Sequence, residues 1–433
     1  MSVTDPNGVV TDLVWDDRGR LTTVTVRDPV GGDSVTTLGY DAAGLVTTIT
    51  LPGGPTTTLG YDDAHRLTSI QNAAGERVEY TLDAMGSRTA DAIKAAGGAV
   101  TYSHTRAYDE LGRLLRNIGA ASQTWTYAYD LDGNLTGITD PLNKAWSRAF
   151  DALDRLKQVT DPLTGVASTT YDARDNVTSV TDQRGLATSY VVDGFDEVIQ
   201  ITSPDTGTTV FYRDGAGNVT QSVDARGVVT NFAYDARDRV TATSYPGSPS
   251  ENVTYSYDSV AGGNFGKGRL TGVTDPTGTT SLVHDRRGNV VTETRTINAV
   301  PYATAYAYDL ADRLTKVTYP SGRIVDYARD SLGRVSGVTT KADAGAQAIT
   351  VASTLAYKPF GPLSGLVYGN GLAATLGYDQ DYRLSDLDTV SGPTVIQDLA
   401  YGYNGRDDAT TITDTLVSGD WRRGVLEVVP RGG

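Results

Sequence analysis

The amino-acid sequence predicts an all-β protein, built as a repetitive ribbon of antiparallel β-hairpins. Three observations lead to this prediction: a seven-residue pattern such as "YDELGRL" at 108–114 recurs along the chain, Gly is frequent with 48 residues, and helix signals are nearly absent. Glycine together with abundant Thr and Val favours strands joined by tight turns. We therefore expect short strands and turns along the whole chain.

The heptad sets the period of the repeat. From Asp109 to Asp235 the second residue of each heptad recurs every 21 residues for six consecutive steps, and elsewhere the interval reaches 28. Such self-similarity is typical of a solenoid in which each unit contacts its neighbours. The eighteen markers are Asp16, Asp41, Asp62, Asp83, Asp109, Asp130, Asp151, Asp172, Asp193, Asp214, Asp235, Asp258, Asp285, Asp309, Asp330, Lys358, Asp379 and Asn404.

A second turn separates successive heptads, so that each unit contains two strands. It reads "TDPNG" at 4–8 and "TDPTG" at 274–278. The segment before a heptad alternates, and Trp125, Tyr127 and Tyr129 would share one face of a strand. This period of two is the strand signature.

The heptad also specifies its own turn. Its fifth residue is often Gly, as at Gly112, or a residue that tolerates the left-handed conformation. The marker Asp109 precedes Arg113 by four residues, and other heptads carry Asn there, as at Asn134 and Asn176. We expect the Asp to accept turn amides and to bridge to the Arg or Asn, as a turn clamp. The substitutes for Gly are His65, Asp154, Asp175, Asp238 and Asp312.

The residues after the heptad have an irregular spacing. Leu156 is followed three positions later by Val159, and the same spacing recurs in other units. Residues three apart point to opposite faces of a regular strand. Either a bulge intervenes, or both faces of the ribbon are partly covered.

Composition limits the function classes. The net charge is -15 and the pI about 4.6, so we expect neither nucleic-acid binding nor association with anionic membranes. There is no Cys, which excludes disulfides and thiolate metal sites. The N-terminus lacks a basic segment followed by an apolar one, and no apolar run reaches the length of a membrane span, so export would be directed from outside this chain.

The heptad and the "TDPxG"-type turn together resemble the YD-repeat, or Rhs-repeat, family over essentially residues 1–416. The resemblance implies a hairpin ribbon of about eighteen units of roughly 21 residues, coiled into a spiral or open shell. In bacterial members the implied shell encloses a C-terminal toxin, and in animal members the ribbon forms an extracellular adhesion barrel. A secreted or cell-surface location follows from the same resemblance.

The sequence departs from the bacterial pattern near its end. Bacterial shells usually end in a core segment around a self-cleavage site and a variable toxin, and neither is recognisable after Asn404. We expect one continuous array over 1–416, and a fading repeat or C-terminal tail over 417–433. Insertions near 90–100, 259–268 and 340–349 are interpreted as extended loops or a lengthened hairpin.

No catalytic, cofactor-binding or metal-binding residue is predicted. The recurring aspartates offer the carboxylate pairs that a hydrolase needs, but turn geometry explains them better. In "GGNFGKG" at 262–268, Lys267 is not followed by the Ser or Thr of a phosphate loop. The segment "DLDGN" at 130–134 lacks the spacing and distal Glu of a calcium loop.

The histidines and tyrosines are the remaining candidates for functional residues. His65, His104 and His284 are far apart in sequence, which argues against a histidine metal site or triad. The tyrosines before the markers predict an aromatic ladder, which cross-strand packing explains first and ligand binding second. The ladder comprises Tyr108, Tyr129, Tyr171, Tyr234 and Tyr308.

The leading hypothesis is a non-enzymatic structural scaffold, similar to the repeat shell of a secreted Rhs-type toxin that encloses or presents a cargo domain. The alternative is an extracellular adhesion or glycan- or peptide-binding module that uses the ladder. The ribbon would be about 170 Å long, or about 55 Å across if closed once. Expected partners are a toxin cargo, further shell-forming sequence, or other copies joined through open ribbon ends.

Overall fold

The computed structural model describes residues 1–416 and confirms the all-β prediction. Within this range there are 37 strands, no α-helix, and two single-turn 3-10 helices at Pro249–Glu251 and Ala261–Gly263. Every described strand pairs antiparallel with the next one in sequence, so residues 2–414 form one meandering sheet. The prediction made for 417–433 lies outside the described residues.

The strands follow the repeat in chain order. The first thirteen are β1 Ser2–Thr4, β2 Val10–Trp15, β3 Leu21–Val26, β4 Ser34–Tyr40, β5 Val46–Thr50, β6 Thr56–Tyr61, β7 Leu67–Gln71, β8 Arg77–Leu82, β9 Arg88–Lys94, β10 Val100–Tyr108, β11 Leu114–Gly119, β12 Thr124–Tyr129 and β13 Leu135–Thr139. The next twelve are β14 Ala145–Phe150, β15 Leu156–Thr160, β16 Val166–Tyr171, β17 Val177–Thr181, β18 Ala187–Val192, β19 Val198–Ser203, β20 Gly207–Arg213, β21 Val219–Val223, β22 Val229–Tyr234, β23 Val240–Ser244, β24 Val253–Tyr257 and β25 Leu270–Asp275. The last twelve are β26 Gly278–His284, β27 Val290–Ile297, β28 Val300–Tyr308, β29 Leu314–Thr318, β30 Ile324–Arg329, β31 Val335–Lys341, β32 Ile349–Tyr357, β33 Leu363–Tyr368, β34 Ala373–Tyr378, β35 Leu384–Ser391, β36 Thr394–Tyr403 and β37 Ala409–Asp414.

The two kinds of turn lie on opposite edges of the ribbon. The heptad turns, which join each even-numbered strand to the next, form what we name the lower edge, and the other turns form the upper edge. In the 90–100 segment, β9 extends to Lys94 and β10 begins at Val100, so a turn of five residues closes a longer hairpin. The other two insertions connect β24 to β25 and β31 to β32.

A bulge explains the three-residue spacing. Phe150 pairs with Leu156 and Arg148 pairs with Val159, with a register shift between them that leaves Lys157 as the extra residue. Leu156 and Val159 therefore share a face, and of the two alternatives the bulge is confirmed. A register shift occurs in each of the eighteen heptad hairpins.

The ribbon winds on itself as a spiral. The side chain of Asn7 bonds the backbone of Lys267, and that of Asp381 bonds the backbone of Ala120, across 260 and 261 residues. These contacts join the turn after β1 to the turn after β24, and the turn after β11 to the turn after β34, so one winding takes 23 strands. We name this line of contacts the seam. At about 4.8 Å per strand, one winding has a circumference of about 110 Å and a diameter of about 35 Å.

The spiral has no packed core in its described part. Beside Pro52 and Pro359 in turns, only four apolar side chains are buried among the described residues, namely Val9, Val317, Ile324 and Ala374. The seven buried polar residues include Asp28 and Asp140 at upper-edge turns. Most inward strand positions are half-buried, as expected of a single sheet that is not covered by a second layer. This favours an open interior over one that is filled by the side chains of the spiral itself.

The described ribbon is open at both ends. β1 pairs only with β2, and β37 only with β36, so no hydrogen-bonded closure into a barrel occurs among the described strands. With 23 strands to a winding, the 37 strands make about one and a half turns. The single wide turn of about 55 Å considered from sequence is thus replaced by a narrower winding. No described helix is long and apolar enough to cross a membrane.

Candidate functional site: the heptad clamp and the seam

Each heptad turn is closed by its marker aspartate. Asp109 Oδ1 accepts from the amides of Leu111 at 3.0 Å and Arg113 at 2.8 Å, and Oδ2 accepts from Arg113 Nε at 2.7 Å. Gly112, at φ 76°, takes the left-handed position and donates to the Asp109 carbonyl. The predicted clamp is therefore confirmed in full. The same three side-chain bonds occur at Asp16, Asp62, Asp151, Asp235, Asp309, Asp330 and Asp379.

The clamp lowers the pKa of several marker carboxylates. The hydrogen bond from the Arg66 side chain, followed by that from its backbone amide, lowers the pKa of Asp62 below its ordinary value. The Arg155 side chain does the same for the pKa of Asp151. A carboxylate that is held ionised and saturated with donors is unsuited to act as a general acid. The repeat aspartates thus have the geometry of turn-closing residues.

The clamp arginine also joins its unit to the next one. Arg113 Nη1 donates to the Asp130 carbonyl at 3.0 Å, and its guanidinium lies 4.7 Å from the centre of the Tyr129 ring. Tyr129 in turn donates its hydroxyl hydrogen to the Leu114 carbonyl at 3.0 Å. Side-chain bonds in both directions therefore connect neighbouring hairpins in addition to the backbone ladder.

The hydroxyl groups of the tyrosine ladder form hydrogen bonds within the ribbon. Every member predicted from sequence donates its hydroxyl to a backbone carbonyl of the preceding unit: Tyr108, Tyr129, Tyr171, Tyr234 and Tyr308. Arg213 and Arg329 replace this tyrosine in two units, and each donates to the corresponding carbonyl of Val198 or Leu314. The feature common to these units is thus a side-chain donor to the carbonyl of the preceding unit, and both tyrosine and arginine supply it.

A second coupling between heptads was missed from sequence. Asn176 closes the clamp of Asp172 and also donates from Nδ2 to Asp196 Oδ1 in the next heptad, at 2.7 Å. Asp196 takes the left-handed position with φ 64°. Wherever Asn replaces Arg in a clamp with a marker Asp, the next heptad carries Asp at its left-handed position. The four pairs are Asn134 with Asp154, Asn176 with Asp196, Asn218 with Asp238, and Asn289 with Asp312.

This coupling has a physical reason and a visible signal. Arginine is long enough to reach the next unit's backbone over a glycine, as Arg66 does to the Asp83 carbonyl. Asparagine is shorter, so an acceptor must extend toward it from the next turn. Reading each heptad together with its successor would have identified the pairs, because each of these Asn residues is followed by an Asp at the next left-handed position. The reverse does not hold, since Asp175 and Asp407 follow the clamp arginines Arg155 and Arg383. The sequence argument explained Asp154 and its equivalents by backbone tolerance alone.

The seam places lower-edge turns of the second winding against upper-edge turns of the first. Asp381 receives the Ala120 amide at 2.8 Å and the Gln123 side chain at 2.7 Å. Asp140, whose side chain is fully buried, holds two amides of its own turn with Oδ1 and has Oδ2 at 3.5 Å from Arg406 Nε. The remaining ionic contacts join Asp28 to Arg286 and Arg287, and Glu76 to Arg334.

The segment "GGNFGKG" is part of the seam. Asn264 is buried and bonds the Leu282 carbonyl and the His284 amide, while Lys267 contacts Asn7 through its backbone. Arg286 lies over the Phe265 ring at 4.8 Å. The loop folds back on β26 and makes an inter-winding contact, which is a different arrangement from the strand-to-helix turn of a phosphate loop.

The histidines lie in three different environments. His65 takes a left-handed turn position with φ 62°, as predicted, and His104 stacks on Tyr102 with ring centres 6.1 Å apart. His284 is buried in a tyrosine position, and burial lowers its pKa. Across residues 1–416 no three His, Cys, Asp or Glu side chains are grouped to hold a metal ion.

One carboxylate pair lies outside the repeat pattern. Asp388 and Asp398 face each other on β35 and β36, and burial, followed by the charge of Asp398, raises the pKa of Asp388. Neither residue belongs to a heptad, so the repeat gave no indication of this pair. The main feature of the described structure is therefore the set of clamps that close the heptad turns, together with the seam contacts that join the two windings.

Comparison with known proteins agrees with this geometry. The RHS Repeat family model matches at residues 1–33, 40–77, 61–100, 108–145, 129–166, 150–187, 213–249 and 303–346, which together cover more than half of the chain. Three successive matches are offset by 21 residues, the period of the heptads. No curated protein was matched by sequence.

Solved structures share the fold at low sequence identity. The Tc holotoxin pore of Photorhabdus luminescens is 16% identical, with a TM-score of 0.69, over 94% of this chain and 22% of that one. The TcdB2-TccC3 structure is 15% identical, with a TM-score of 0.68, over 96% of this chain and 28% of that one. This chain thus spans about a quarter of the proteins it resembles. Its heptads, its hairpin ribbon and the matched repeats establish that the chain belongs to the Rhs repeat family.

Proposed function

We propose that this chain is a non-enzymatic wall segment of a hollow β-shell that surrounds a polypeptide cargo. The observation that carries the proposal is the winding of a single-layered sheet around an interior that lacks a packed core. The polar bonds of the heptads are used to build the wall. The likeness to TcdB2-TccC3 and to the Tc holotoxin pore supports a toxin-shell role and a secreted or cell-surface location.

The size of the winding indicates what it could surround. A backbone diameter of about 35 Å leaves roughly 25 Å between side chains, since a sheet with its side chains is about 10 Å thick. A folded domain of 100 residues has a radius of gyration near 13 Å and would fill or exceed that width. The described segment therefore suits an extended or unfolded chain better than a folded domain.

The adhesion alternative receives less support. Its predicted binding surface was the tyrosine ladder, yet the ladder hydroxyls are bonded to backbone carbonyls, as Tyr171 is to Leu156 at 2.8 Å. Arginine also covers several rings, with Arg155 at 4.6 Å from the Tyr171 centre. A glycan that stacked on this ladder would have to displace these partners.

A passenger experiment tests the enclosure. An unstructured peptide with several trypsin sites is appended after residue 433, and the matched control carries the same peptide in the exposed loop between Gly345 and Ala346. We expect slower cleavage of the terminal peptide than of the loop peptide, and small-angle scattering typical of a hollow particle. Equal cleavage rates would contradict enclosure, and the scattering of a compact particle would contradict the open interior.

A further inference from the structure

The lower edge of the ribbon differs between the two windings at the fourth heptad position, two residues after the marker. In the second winding several residues at this position are covered at the seam: Asp381 bonds the Ala120 amide, and Leu332 is only partly exposed, whereas Phe360 is 42% exposed. In the first winding the same position is exposed in every heptad. Four of these first-winding residues are large and apolar, with exposed fractions of 67% at Met85, 73% at Leu111, 67% at Leu153 and 87% at Phe195.

The upper edge shows the same contrast. Val9 lies four residues after Asp5, in the turn whose Asn7 bonds Lys267 of the second winding, and is 4% exposed. The equivalent residues of the turns without a second winding are Leu186 and Val228, which are 38% and 44% exposed. Leu163, on a neighbouring upper-edge turn, is 80% exposed. On both edges, therefore, repeat positions that are covered at the seam are exposed elsewhere in the molecule.

The two uncovered edges are the two halves of one interface. Within the chain a lower edge packs on an upper edge at a fixed offset of 23 strands, from the turn after β1 to the turn after β13. The upper edge continues past that point, through the turns at 161–165, 182–186 and 224–228, without a second winding above it. Continuity of the repeat predicts that the same packing can continue there. Exposed apolar rows of this kind mark interaction surfaces.

We propose that the uncovered lower edge of one molecule packs on the uncovered upper edge of a second copy, so that copies stack head to tail and extend the spiral. The contact is heterologous and does not close, because each copy presents both edges. It would use the turn-on-turn packing of the seam, with apolar fourth-position residues in place of some of the charged seam residues. The inference rests on the seam geometry and is independent of any cargo.

Cross-linking tests the polarity of the contact. The chain has no Cys, so Leu153→Cys marks the lower edge alone and Leu163→Cys the upper edge alone. With a flexible bis-maleimide, we expect a cross-linked dimer when the two variants are mixed and none with either variant by itself. Dimers of Leu153→Cys alone would overturn the proposal in favour of an edge-to-like-edge contact.

Light scattering across a concentration series tests the apolar row. We expect wild-type protein to form concentration-dependent oligomers, and the double variant Leu153→Asp, Phe195→Asp to be monomeric. Folding should be preserved, because Asp132 occupies the equivalent fourth position naturally. The control, Thr126→Asp with Ser147→Asp, adds the same charge at exposed mid-strand positions and should still associate. A wild-type protein that stays monomeric at all concentrations, or a double variant that oligomerises like the control, would overturn the proposal.

Discussion

The stacked and single-wound sectors of the ribbon share one repeat but differ in burial. In the stacked sector, which comprises 1–144 and 258–414, upper-edge turns meet lower-edge turns and nearly all of the buried residues are found. In the single-wound sector, between 145 and 242, no residue of the described chain is buried. Clamps, bulges and tyrosine bonds are nevertheless the same in both.

The comparison separates two levels of stabilisation. The heptad and its neighbours suffice to form the ribbon, because they act between adjacent hairpins only. Stacking adds burial between turns that are about 260 residues apart in sequence. Since local stability follows buried apolar contact, we expect the single-wound sector to open first, and hydrogen exchange on the intact chain measures this directly.

Acid should disrupt the aspartate clamps, which the two sectors share. This is the largest effect we expect. Arginine side-chain bonds lower the pKa of Asp62 in the stacked sector, and of Asp151 and Asp235 in the single-wound one. A lowered folded-state pKa gives stability that is present above the unfolded value of about 4 and is lost as the pH falls through the folded value. Circular dichroism during acid titration should show both sectors unfolding below about pH 4. Retention of the strand signal at pH 2 would contradict a structural role for the clamps.

Removing buried apolar volume should affect the sectors unequally. Ile324→Ala deletes a buried side chain at the start of β30 in the stacked sector and should cost about 2–4 kcal/mol in unfolding free energy. Ile201→Ala deletes a half-buried one in the single-wound sector and should cost less. Urea denaturation of the two variants measures the difference. Equal costs would show that stacking adds no burial energy.

A matched pair of aspartates isolates the seam. Asp381 and Asp132 occupy the same heptad position, but Asp381 bonds two groups of the other winding, while Asp132 is exposed. Asp381→Ala should cost about 1–3 kcal/mol, because it leaves the Ala120 amide without its partner. Asp132→Ala should be nearly neutral. If thermal melts move equally for both variants, the seam bonds contribute nothing measurable.

Loss of a tyrosine hydroxyl should lower the free energy of unfolding by the same amount in both sectors. Tyr378 donates to the Leu363 carbonyl in the stacked sector and Tyr171 to the Leu156 carbonyl in the single-wound one, each at 2.8 Å. Each Tyr→Phe change should cost about 1 kcal/mol, the usual contribution of one hydrogen bond. Urea denaturation provides the test, and a clearly larger loss at Tyr378 would mean that the ladder depends on stacking.

The smallest effect should come from the Asn–Asp coupling between heptads. In a double-mutant cycle on Asn176 and Asp196, we expect an interaction free energy of about 0.5 kcal/mol, since both groups are exposed. The cycle is measured by thermal unfolding of the two single variants and the double variant. Strict additivity would show that the pairing of Asn with a following Asp has another origin.

The local structure could be predicted from the sequence, and the long-range structure could not. The left-handed position of Gly112, the bonds of Asp109 and the bulge near Lys157 all follow from residues a few positions apart. The meeting of Asp140 with Arg406 depends on the number of strands in a winding. That number follows from the small rotation between neighbouring hairpins, and no heptad residue records it. Sequence reasoning therefore predicted the ribbon but left the width of its winding open.

The odd strand count of the winding constrains how the bore of such a tube can change. A lower-edge turn meets an upper-edge turn only if the winding contains an odd number of strands, as 23 is. Loss or gain of one hairpin keeps that parity, whereas a single added strand would oppose like edges. The bore can thus widen or narrow only in steps of two strands, about 10 Å of circumference or 3 Å of diameter. Duplication or loss of whole hairpins would then change the diameter of the tube only in these fixed steps.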